Sequence, residues 1–410
     1  MKRIFLLFFL LMLASVFAGC SRGKETESRH RTVYAAETAQ ADGLIWKTNL
    51  SMFNAIRWYD PATGANGSLH SDPLCTHDLP DQDTCPLAMH SVMNIAARGS
   101  VVYFLCWEHD MTDNWYTWYA YDFPKQKMIE VASIPDGALP TAWCVSEDWL
   151  WYARWGSSGN DAEGGDNLPH FFRVPLDGKD EPEEITPEGF EEPYITFYVW
   201  EDELYILNYD ADLIGPDEEA VAEHVTDFSD GWIYIVKNSE PIPQDPDMPD
   251  AWNANLRVYD LWRMPVDGEE SEAVLFAERC VLRRQFVGDC ICTCRYAPVL
   301  LYSWLPSRNA PEEERIYVYD YSGGKTLLYD VRSGELKWEL APEGISVYGV
   351  DAVGEDWVAF HGLDYSGFER VGDKLAVEGL TQEEIEKHVG YYLWHADTGD
   401  ITEFDFGFED

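Results

Sequence analysis

The sequence predicts an all-β protein: a β-propeller of six blades, with seven also compatible and with small helical insertions on one face. Two repeated segments carry this prediction, an acidic turn that leads into an alternating apolar strand and a strand that ends in an Asp/Gly turn. Both patterns are typical of β-hairpins. The third observation is that the two repeats alternate, so that one of each makes a four-stranded unit recurring every ~40–55 residues, the spacing of propeller blades.

The repeats define the predicted blades. The acidic-turn copies are SEDWLWY at 146–152, WEDELYI at 200–206 and GEDWVAF at 354–360. The Asp/Gly-turn copies are FFRVPLDG at 171–178, LWRMPVDG at 261–268, YLWHADTG at 392–399 and IRWYDPATG at 56–64. The six predicted units span residues 43–72, 94–135, 140–187, 193–277, 281–342 and 345–406. A seventh blade is compatible with the strand-rich stretch 315–340, and the abundant Trp and Tyr are expected to fill the wedges between blades.

Long insertions are predicted on one face of the propeller. In a blade with strands a to d, the a–b and c–d turns share one face and the b–c loops lie on the other. The predicted b–c loops are acidic and irregular, at 108–114, 156–167, 210–255, 306–314 and 361–390. Two contain predicted short helices, at 216–225 with an early Pro and at 381–389 with a Thr381/Glu384 capping box. Loops of this kind either bind ligands or are neutral elaborations.

The N-terminal residues predict export and a lipid anchor. MKRIFLLFFLLMLASVFAGC has a basic start, a short apolar run and a small-residue end at Cys20. Its last residues resemble the lipobox of bacterial lipoproteins, except for Phe17, where leucine is commoner. That resemblance implies a signal peptide over 1–19 and a diacylglycerol on Cys20, anchoring an extracytoplasmic protein to the cell membrane. A transmembrane anchor is disfavoured, because the apolar run is shorter than the ~20 residues needed to span a bilayer.

Composition limits the domain organisation and the partners. Residues 20–42 have few large apolar side chains and are predicted to form a flexible stalk, followed by a single propeller domain over 43–410. The chain has 29 basic and 74 acidic residues, for a formal charge of −45. Such a charge repels phosphate backbones and anionic headgroups, which excludes nucleic-acid binding and leaves cations or basic partners. Acidity also serves solubility, the simpler interpretation.

Two segments have the spacing of metal ligands. Asn208, Asp210, Asp212 and Glu219 match four positions of a calcium-binding loop, but the loop lacks the glycine at position six and follows a strand. A solvated acidic loop is the alternative, so no cofactor is expected apart from this candidate calcium ion. The CICTC segment places Cys290, Cys292 and Cys294 on one side of a strand, where they either bind a soft metal or are small buried residues.

No catalytic motif of the common hydrolase or nucleotide-binding types occurs in the sequence. Trp115, Trp155 and Trp252 are candidate ligand-binding aromatics that could stack on sugar rings, with packing as the alternative. His224 and His388 occupy matching places in the two predicted helices, for which a shared packing role is the simplest explanation.

A motif at 73–86 leads to the same prediction as the N-terminal features. PLCTHDLPDQDTCP at 73–86 resembles a PLCxHxxxxxxCP signature of uncharacterised β-propeller lipoproteins of anaerobic Gram-positive bacteria. That resemblance implies a lipid-anchored, extracytoplasmic propeller and no particular activity. Cys75 and Cys85 form a disulfide, bind a metal together with His77, or remain as thiols; the first alternative is favoured outside the cytoplasm.

The sequence therefore favours a non-enzymatic protein that binds a ligand or partner, or acts as a scaffold, in the cell envelope. The partner would be an envelope protein or a glycan. The alternative is a carbohydrate-active or other hydrolytic enzyme that uses carboxylates and aromatics on the loop-elaborated face.

Overall fold

Each sequence repeat forms part of a four-stranded antiparallel sheet, and these sheets are the blades of a propeller. A computed structural model describes residues 32–48, 56–69, 91–109, 113–134, 139–156, 168–191, 193–217, 219–241, 257–287, 289–295, 317–318, 325–371, 374–376 and 387–407. Within these ranges the chain is almost entirely β, with a single 3-10 turn at Glu270–Glu272. The predicted all-β propeller is confirmed.

The first three blades follow one another along the chain. Blade one contains β2 (Thr38–Ala41), β3 (Leu44–Thr48), β4 (Ile56–Tyr59) and β5 (Asn66–Ser68). Blade two contains β6 (Ser91–Arg98), β7 (Val101–His109), β8 (Asn114–Asp122) and β9 (Lys127–Ile134). Blade three contains β10 (Pro140–Val145), β11 (Trp149–Trp155), β12 (Pro169–Pro175) and β13 (Glu183–Glu184), with β1 (Val33–Tyr34) added at the inner edge of β10.

Four further blades complete the ring. Blade four contains β14 (Tyr194–Trp200), β15 (Glu203–Asn208), β16 (Leu213–Ile214) and β17 (Ala220–Ala222). Blade five contains β18 (Val225–Ser229), β19 (Trp232–Pro241), β20 (Arg257–Pro265) and the first part of β21 (Val274–Val287). Blade six contains the second part of β21, β22 (Cys290–Arg295), β24 (Thr326–Asp330) and β25 (Leu336–Leu340). Blade seven contains β26 (Ile345–Val353), β27 (Trp357–Asp364), β30 (Val389–His395) and β31 (Ile401–Phe404), and β23 (Tyr317–Val318), β28 (Glu369–Val371) and β29 (Lys374–Ala376) form a small separate sheet.

The hydrophobic core confirms a count of seven blades. It is divided into seven clusters, and each cluster joins side chains of two neighbouring blades. Aromatic rings fill these junctions as expected: Trp118 of blade two lies 4.6 Å from Tyr152 of blade three, measured between ring centroids. A ring of seven blades has seven such junctions, so the described residues leave no gap in the ring.

The prediction of six blades is therefore wrong, and the compatible count of seven is the observed one. The predicted unit 193–277 contains two blades, four and five. The predicted helix at 216–225 is absent, because Ala220–Ala222 pairs with β16 and His224 adopts a left-handed φ of 58° at the turn into β18. In the described part of the stretch 315–340, β24 and β25 belong to blade six and not to an additional blade.

Two other predictions about the elements need comment. The predicted stalk ends too late, because residues 33–34 and 38–41 are strands of the propeller. Of the second predicted helix, residues 381–386 lie outside the described residues, while Lys387 and His388 form a turn and Val389 begins β30. Among the residues that the structure describes, no helix is long and apolar enough to cross a membrane.

Among the described strands, none is exchanged between the two ends of the ring. Blade one comes entirely from the N-terminal part of the chain and blade seven entirely from the C-terminal part. Side chains join them: the ring centroids of Tyr59 and Phe404 lie 4.1 Å apart, and Gln40 exchanges two hydrogen bonds with the backbone of Val353. Arg57 Nε also donates to the carbonyl oxygen of Phe406 at 2.9 Å.

Candidate functional site

The two faces of the propeller differ. We call the face with the a–b and c–d turns the turn face; it contains the acidic turns at 146–148, 201–202 and 354–356, which lie between strands a and b as predicted. We call the opposite face, at the other ends of the same strands, the loop face. Much of its b–c connections, including 157–167, 242–256 and 296–316, lies outside the described residues. The strand ends that border those connections are described.

An aromatic surface lies on the loop face where blades three and four meet. Trp155 is the last residue of β11, and its ring centroid lies 5.5 Å from that of Tyr194, the first residue of β14. Beside this pair, Ile195 is 52% exposed and Tyr209 is 66% exposed. These exposed fractions are large for apolar and aromatic side chains next to a strand. We call Trp155, Tyr194, Ile195 and Tyr209 the aromatic rim.

The inner part of the aromatic rim is held rigidly. Tyr194 is buried, its ring centroid lies 5.1 Å from that of Phe171, and its hydroxyl is hydrogen-bonded to the hydroxyl of Thr141. Burial raises the pKa of Tyr194, and the hydrogen bond from Thr141 opposes that shift in part. Tyr194 is thus a neutral, fixed support for the half-buried ring of Trp155. Tyr209 and Ile195 provide the accessible apolar surface.

Trp115, the second predicted aromatic, has a different environment. Its indole Nε1 donates to the carboxylate of Glu108, which also accepts hydrogen bonds from Tyr119 Oη at 2.7 Å and Thr117 Oγ1 at 3.2 Å. Glu108 is buried, and Tyr119 has a raised pKa because of burial and of its hydrogen bond to that carboxylate. The polar edge of Trp115 is therefore engaged within blade two. A local polar cluster that satisfies a buried carboxylate explains this tryptophan better than ligand stacking.

The predicted calcium ligands are divided between two turns. Asn208, Asp210 and Asp212 share the tight turn after β15, where Asn208 Oδ1 accepts the N–H of Asp212 at 2.9 Å. Glu219 lies beyond β16 in the next turn, where its carbonyl oxygen accepts the N–H of Gly215 at 2.9 Å. No group of three or more His, Cys, Asp or Glu side chains suited to a metal ion occurs within the described ranges. The amide of Asn208 closes the hairpin.

Several predicted site residues lie outside the described residues: Cys20, Cys75, His77, Cys85 and Trp252. Of the CICTC segment, Cys290 and Cys292 are buried in β22 and belong to the same core cluster between blades six and seven. This placement agrees with the interpretation of small buried residues in a blade strand. His224 and His388 both lie in turns, and the ring of His388 packs edge-on against Phe368 at 4.8 Å.

The sequence did not reveal a histidine–aspartate pair in blade seven. Asp351 is buried on the innermost strand β26, and His361 Nδ1 lies 3.1 Å from its Oδ1 and 3.0 Å from its Oδ2. A carboxylate on Nδ1 orients the imidazole and leaves Nε2 as the ring atom for proton exchange. The two residues are ten positions apart on strands whose pairing shifts between Val350 and Ala352, so only the register of the hairpin identifies them.

A tyrosine and two charged side chains lie near this pair. The ring of Tyr391 lies 6.2 Å from that of His361, and Lys47 Nζ of blade one lies 5.0 Å from the centroid of Tyr391. Lys47 Nζ is also 4.0 Å from Glu37 Oε2. Burial raises the pKa of Tyr391, and the ammonium of Lys47 opposes that shift. The arrangement contains groups that can donate and accept protons near the junction of blades seven and one.

No family model matches the chain, and no curated protein matches it. The solved structures to which the chain is similar include the following three. The β-propeller domain of the Trilobed protease from Pyrococcus furiosus has a TM-score of 0.39 at 13% identity, covering 77% of this chain and 84% of that one. The computationally designed Ika8 protein has a TM-score of 0.36 at 10% identity, and the match covers 85% of this chain and 97% of that one. An acylaminoacyl peptidase from Pyrococcus horikoshii has a TM-score of 0.32 at 13% identity, and the match covers 92% of this chain and 46% of that one.

Proposed function

We propose that this protein is a lipid-anchored, extracytoplasmic propeller that binds a ligand or partner protein of the cell envelope at its loop face. The observation that carries the proposal is the aromatic rim, where the exposed Tyr209 and Ile195 lie beside a rigid Trp155–Tyr194 pair. Exposed apolar surface beside preorganised aromatic rings favours binding, because little side-chain entropy is lost on contact.

The anchor belongs to the same proposal. It is supported by the lipobox-like end at Cys20 and by the resemblance of residues 73–86 to the signature of propeller lipoproteins. Attachment through two acyl chains would be lasting, since two lipid chains hold a protein at a membrane far more strongly than one. The proposed location is the outer side of the cell membrane.

The charge around the aromatic rim limits the ligand. Asp210 follows Tyr209 directly and is exposed, and Asp212 lies two residues further along the same turn. Their carboxylates disfavour an anionic ligand, and the formal charge of −45 disfavours nucleic acids. A neutral sugar chain or a basic segment of an envelope protein fits the combination of aromatic rings and negative charge.

The proposal is tested by titrating the soluble chain 32–410 with two probes: neutral cello-, chito- and malto-hexaoses, and a Lys/Arg-rich peptide, followed by tryptophan fluorescence. We expect one probe class to bind and the Tyr209→Ala and Trp155→Ala variants to weaken that binding at least tenfold. Trp115→Phe is the matched control, because Trp115 is engaged with Glu108, and it should bind as the parent does. Equal binding by the Tyr209→Ala and parent proteins would refute a role for the aromatic rim.

Hydrolysis is the second candidate, and the Asp351–His361 pair is the observation that favours it. A panel of chromogenic glycosides and peptides tests it directly. If the protein is a hydrolase that uses this pair, the parent turns over at least one substrate and His361→Ala lowers kcat at least a hundredfold. His388→Ala is the matched control. Turnover with this dependence would replace the non-enzymatic proposal.

A further inference from the structure

The segment before blade one lies inside the ring. Val33 and Tyr34 pair antiparallel with Val145 and Cys144 of β10, the innermost strand of blade three. Ala36 then forms a bridge with Ile95 on the innermost strand of blade two. The segment is therefore on the axial side of these strands.

The same segment also reaches blade four. Thr32 Oγ1 donates to the carbonyl oxygen of Val199 at 3.0 Å, and Tyr34 Oη accepts the N–H of Val199 at 2.9 Å. Val199 lies on β14, the innermost strand of that blade. Contacts with three consecutive blades fix both the position and the direction of residues 32–36.

The direction of the chain shows where it enters the ring. Strand β10 runs toward the turn face, where it ends at Val145, and Val33 lies opposite that end. By Glu37 the chain has crossed to the loop face, since the carbonyl oxygen of Glu37 accepts the N–H of Thr48, the last residue of β3. Residue 32 is therefore at the turn face and close to the axis.

A small acidic pocket confirms this placement. Thr32 lines a pocket of about 230 Å³ together with Glu147, Glu201 and Asp202. These three acidic residues are exposed and belong to the a–b turns of blades three and four. Thr32, the first described residue, thus lies at the opening of the ring on the turn face, and we call this position the exit point.

We infer that the turn face is the surface directed at the membrane and that the loop face, with the aromatic rim, points away from it. This inference rests on the proposed lipid attachment at Cys20. About twelve residues separate Cys20 from Thr32, and they span at most ~40 Å at ~3.4 Å per residue. The lipid surface therefore lies within that distance of the exit point.

The length of this tether argues against the opposite orientation, with the loop face at the membrane. To bring the loop face to the membrane, the tether would cross from the axis to the rim of the disc and then follow the edge of a blade. The first path crosses four strands at ~4.8 Å spacing, which is ~20 Å. The second follows a blade seven to eight residues high, which is ~25 Å. Their total of ~45 Å exceeds the ~40 Å available.

The negative charge of the turn face favours a gap between that face and the bilayer surface. The carboxylates of Glu147, Glu201 and Asp202 surround the exit point, and Glu355 and Asp356 extend the negative charge in blade seven. Anionic headgroups repel such a surface. The tether holds the turn face toward the membrane without adhesion, which leaves the loop face accessible to ligands from outside.

Energy transfer in phosphatidylcholine vesicles tests the inference. A fluorescent amino acid is placed at position 355 on the turn face or at position 113 on the loop face, and the acceptor dye is on the lipid headgroups. We expect the lipidated full chain to float with the vesicles and to show stronger transfer from position 355 than from position 113. Equal or stronger transfer from position 113 would overturn the orientation.

Two controls separate the orientation from the anchor. The Cys20→Ala variant should no longer float, and a parent chain that does not float would refute the lipid attachment instead of the exit geometry. Residues 21–410 with an N-terminal hexahistidine, bound to nickel-chelating lipids, should still show the same order of transfer. A C-terminal hexahistidine should reverse it, because β31 runs from the turn face to the loop face.

Discussion

Arg263 shows how one residue of the Asp/Gly-turn repeat joins two blades. It is buried on β20, and its guanidinium lies 4.1 Å from the ring centroid of Trp232 and 5.1 Å from that of Phe276. It donates to the carbonyl oxygens of Val331 and Arg332 in blade six. The repeat copy in blade three has Arg173 at the same place, over Trp149 at 4.6 Å, but more exposed to solvent.

We expect Arg263→Leu to lower the free energy of unfolding by about 2–4 kcal/mol, because the buried carbonyl group of Val331 and the partly buried one of Arg332 lose a charged donor and two rings lose the cation. Arg173→Leu is the matched control and should cost about 1 kcal/mol or less, since its ion pair with Glu183 is largely in water. Urea unfolding of both variants gives the comparison. Equal losses would show that the contacts with blade six contribute nothing.

At this scale the sequence predicted burial better than it predicted polar clusters. Period-two spacing placed Cys290 and Cys292 correctly on one buried side of a strand. Glu108 looked like the start of an acidic loop, although its carboxylate is buried under hydrogen bonds from three side chains of the next strand. The composition of a loop does not show which carboxylate turns inward, because that depends on the donors of the neighbouring strand.

Gln40 is one of the polar links between the first and last blades. Its Oε1 accepts the N–H of Val353 at 2.9 Å and its Nε2 donates to the carbonyl oxygen of the same residue at 3.0 Å. Because no strand of the described ranges is exchanged between the ends of the ring, side chains of this kind and the apolar cluster of blades seven and one join those ends.

The Gln40→Leu variant should lower the free energy of unfolding by about 1–3 kcal/mol, since both backbone groups of Val353 lose their partner. Thr402→Ala, on the exposed edge strand β31, is the control and should change it by no more than about 0.5 kcal/mol. Hydrogen exchange at the amide of Val353 is the second measurement and should accelerate in Gln40→Leu alone. Unchanged exchange would contradict a role for the Gln40–Val353 hydrogen bonds in closing this junction.

Elements with a clear alternating pattern were predicted, and very short ones were not. The long hairpins of blades three and seven carry the repeats and were placed correctly. Strands β16 and β17 have two and three residues, too few to show an alternation, so blade four was merged with blade five. Strand β2 has the sequence TAQA, whose small and polar side chains resemble a stalk although they pack beside the axis.

The molecule as a whole should lose stability in alkali. Burial is the main cause that raises the pKa values of Tyr119, Tyr234 and Tyr392, and that of Tyr392 rises to about 12. Tyrosines of the unfolded chain ionise near pH ~10. Between pH ~10 and ~12 the unfolded state releases protons that the folded state retains, so the free energy of unfolding falls as the pH rises. Below pH ~10 the tyrosines are protonated in both states, and their contribution to stability is fully retained.

Urea unfolding at pH values from 8 to 12 measures this dependence. The fall in the free energy of unfolding between pH ~10 and ~12 should be less steep in Tyr392→Phe than in the parent. A parent protein whose stability does not change above pH ~10 would contradict the assignment of raised pKa values to the buried tyrosines.

The candidate site belongs to the whole molecule, because its parts come from different blades. The sequence identified Trp155, but Tyr194 and Tyr209 join it only through the packing of blade four against blade three. The exposed fraction of Tyr209, 66%, is likewise a property of the folded surface. A single sequence therefore predicts the loop face as a region and one of its aromatic residues, but not the assembled rim.

Photo-crosslinking in the cells that produce the protein tests the central claim most directly. Benzoylphenylalanine is placed at position 209 in the aromatic rim, or at position 336 on the outer edge of blade six, where Leu336 is 46% exposed. The account predicts a specific adduct, protein or glycan, at position 209 and none at position 336. The absence of any adduct at position 209, or the same adducts at both positions, would contradict binding at the loop face.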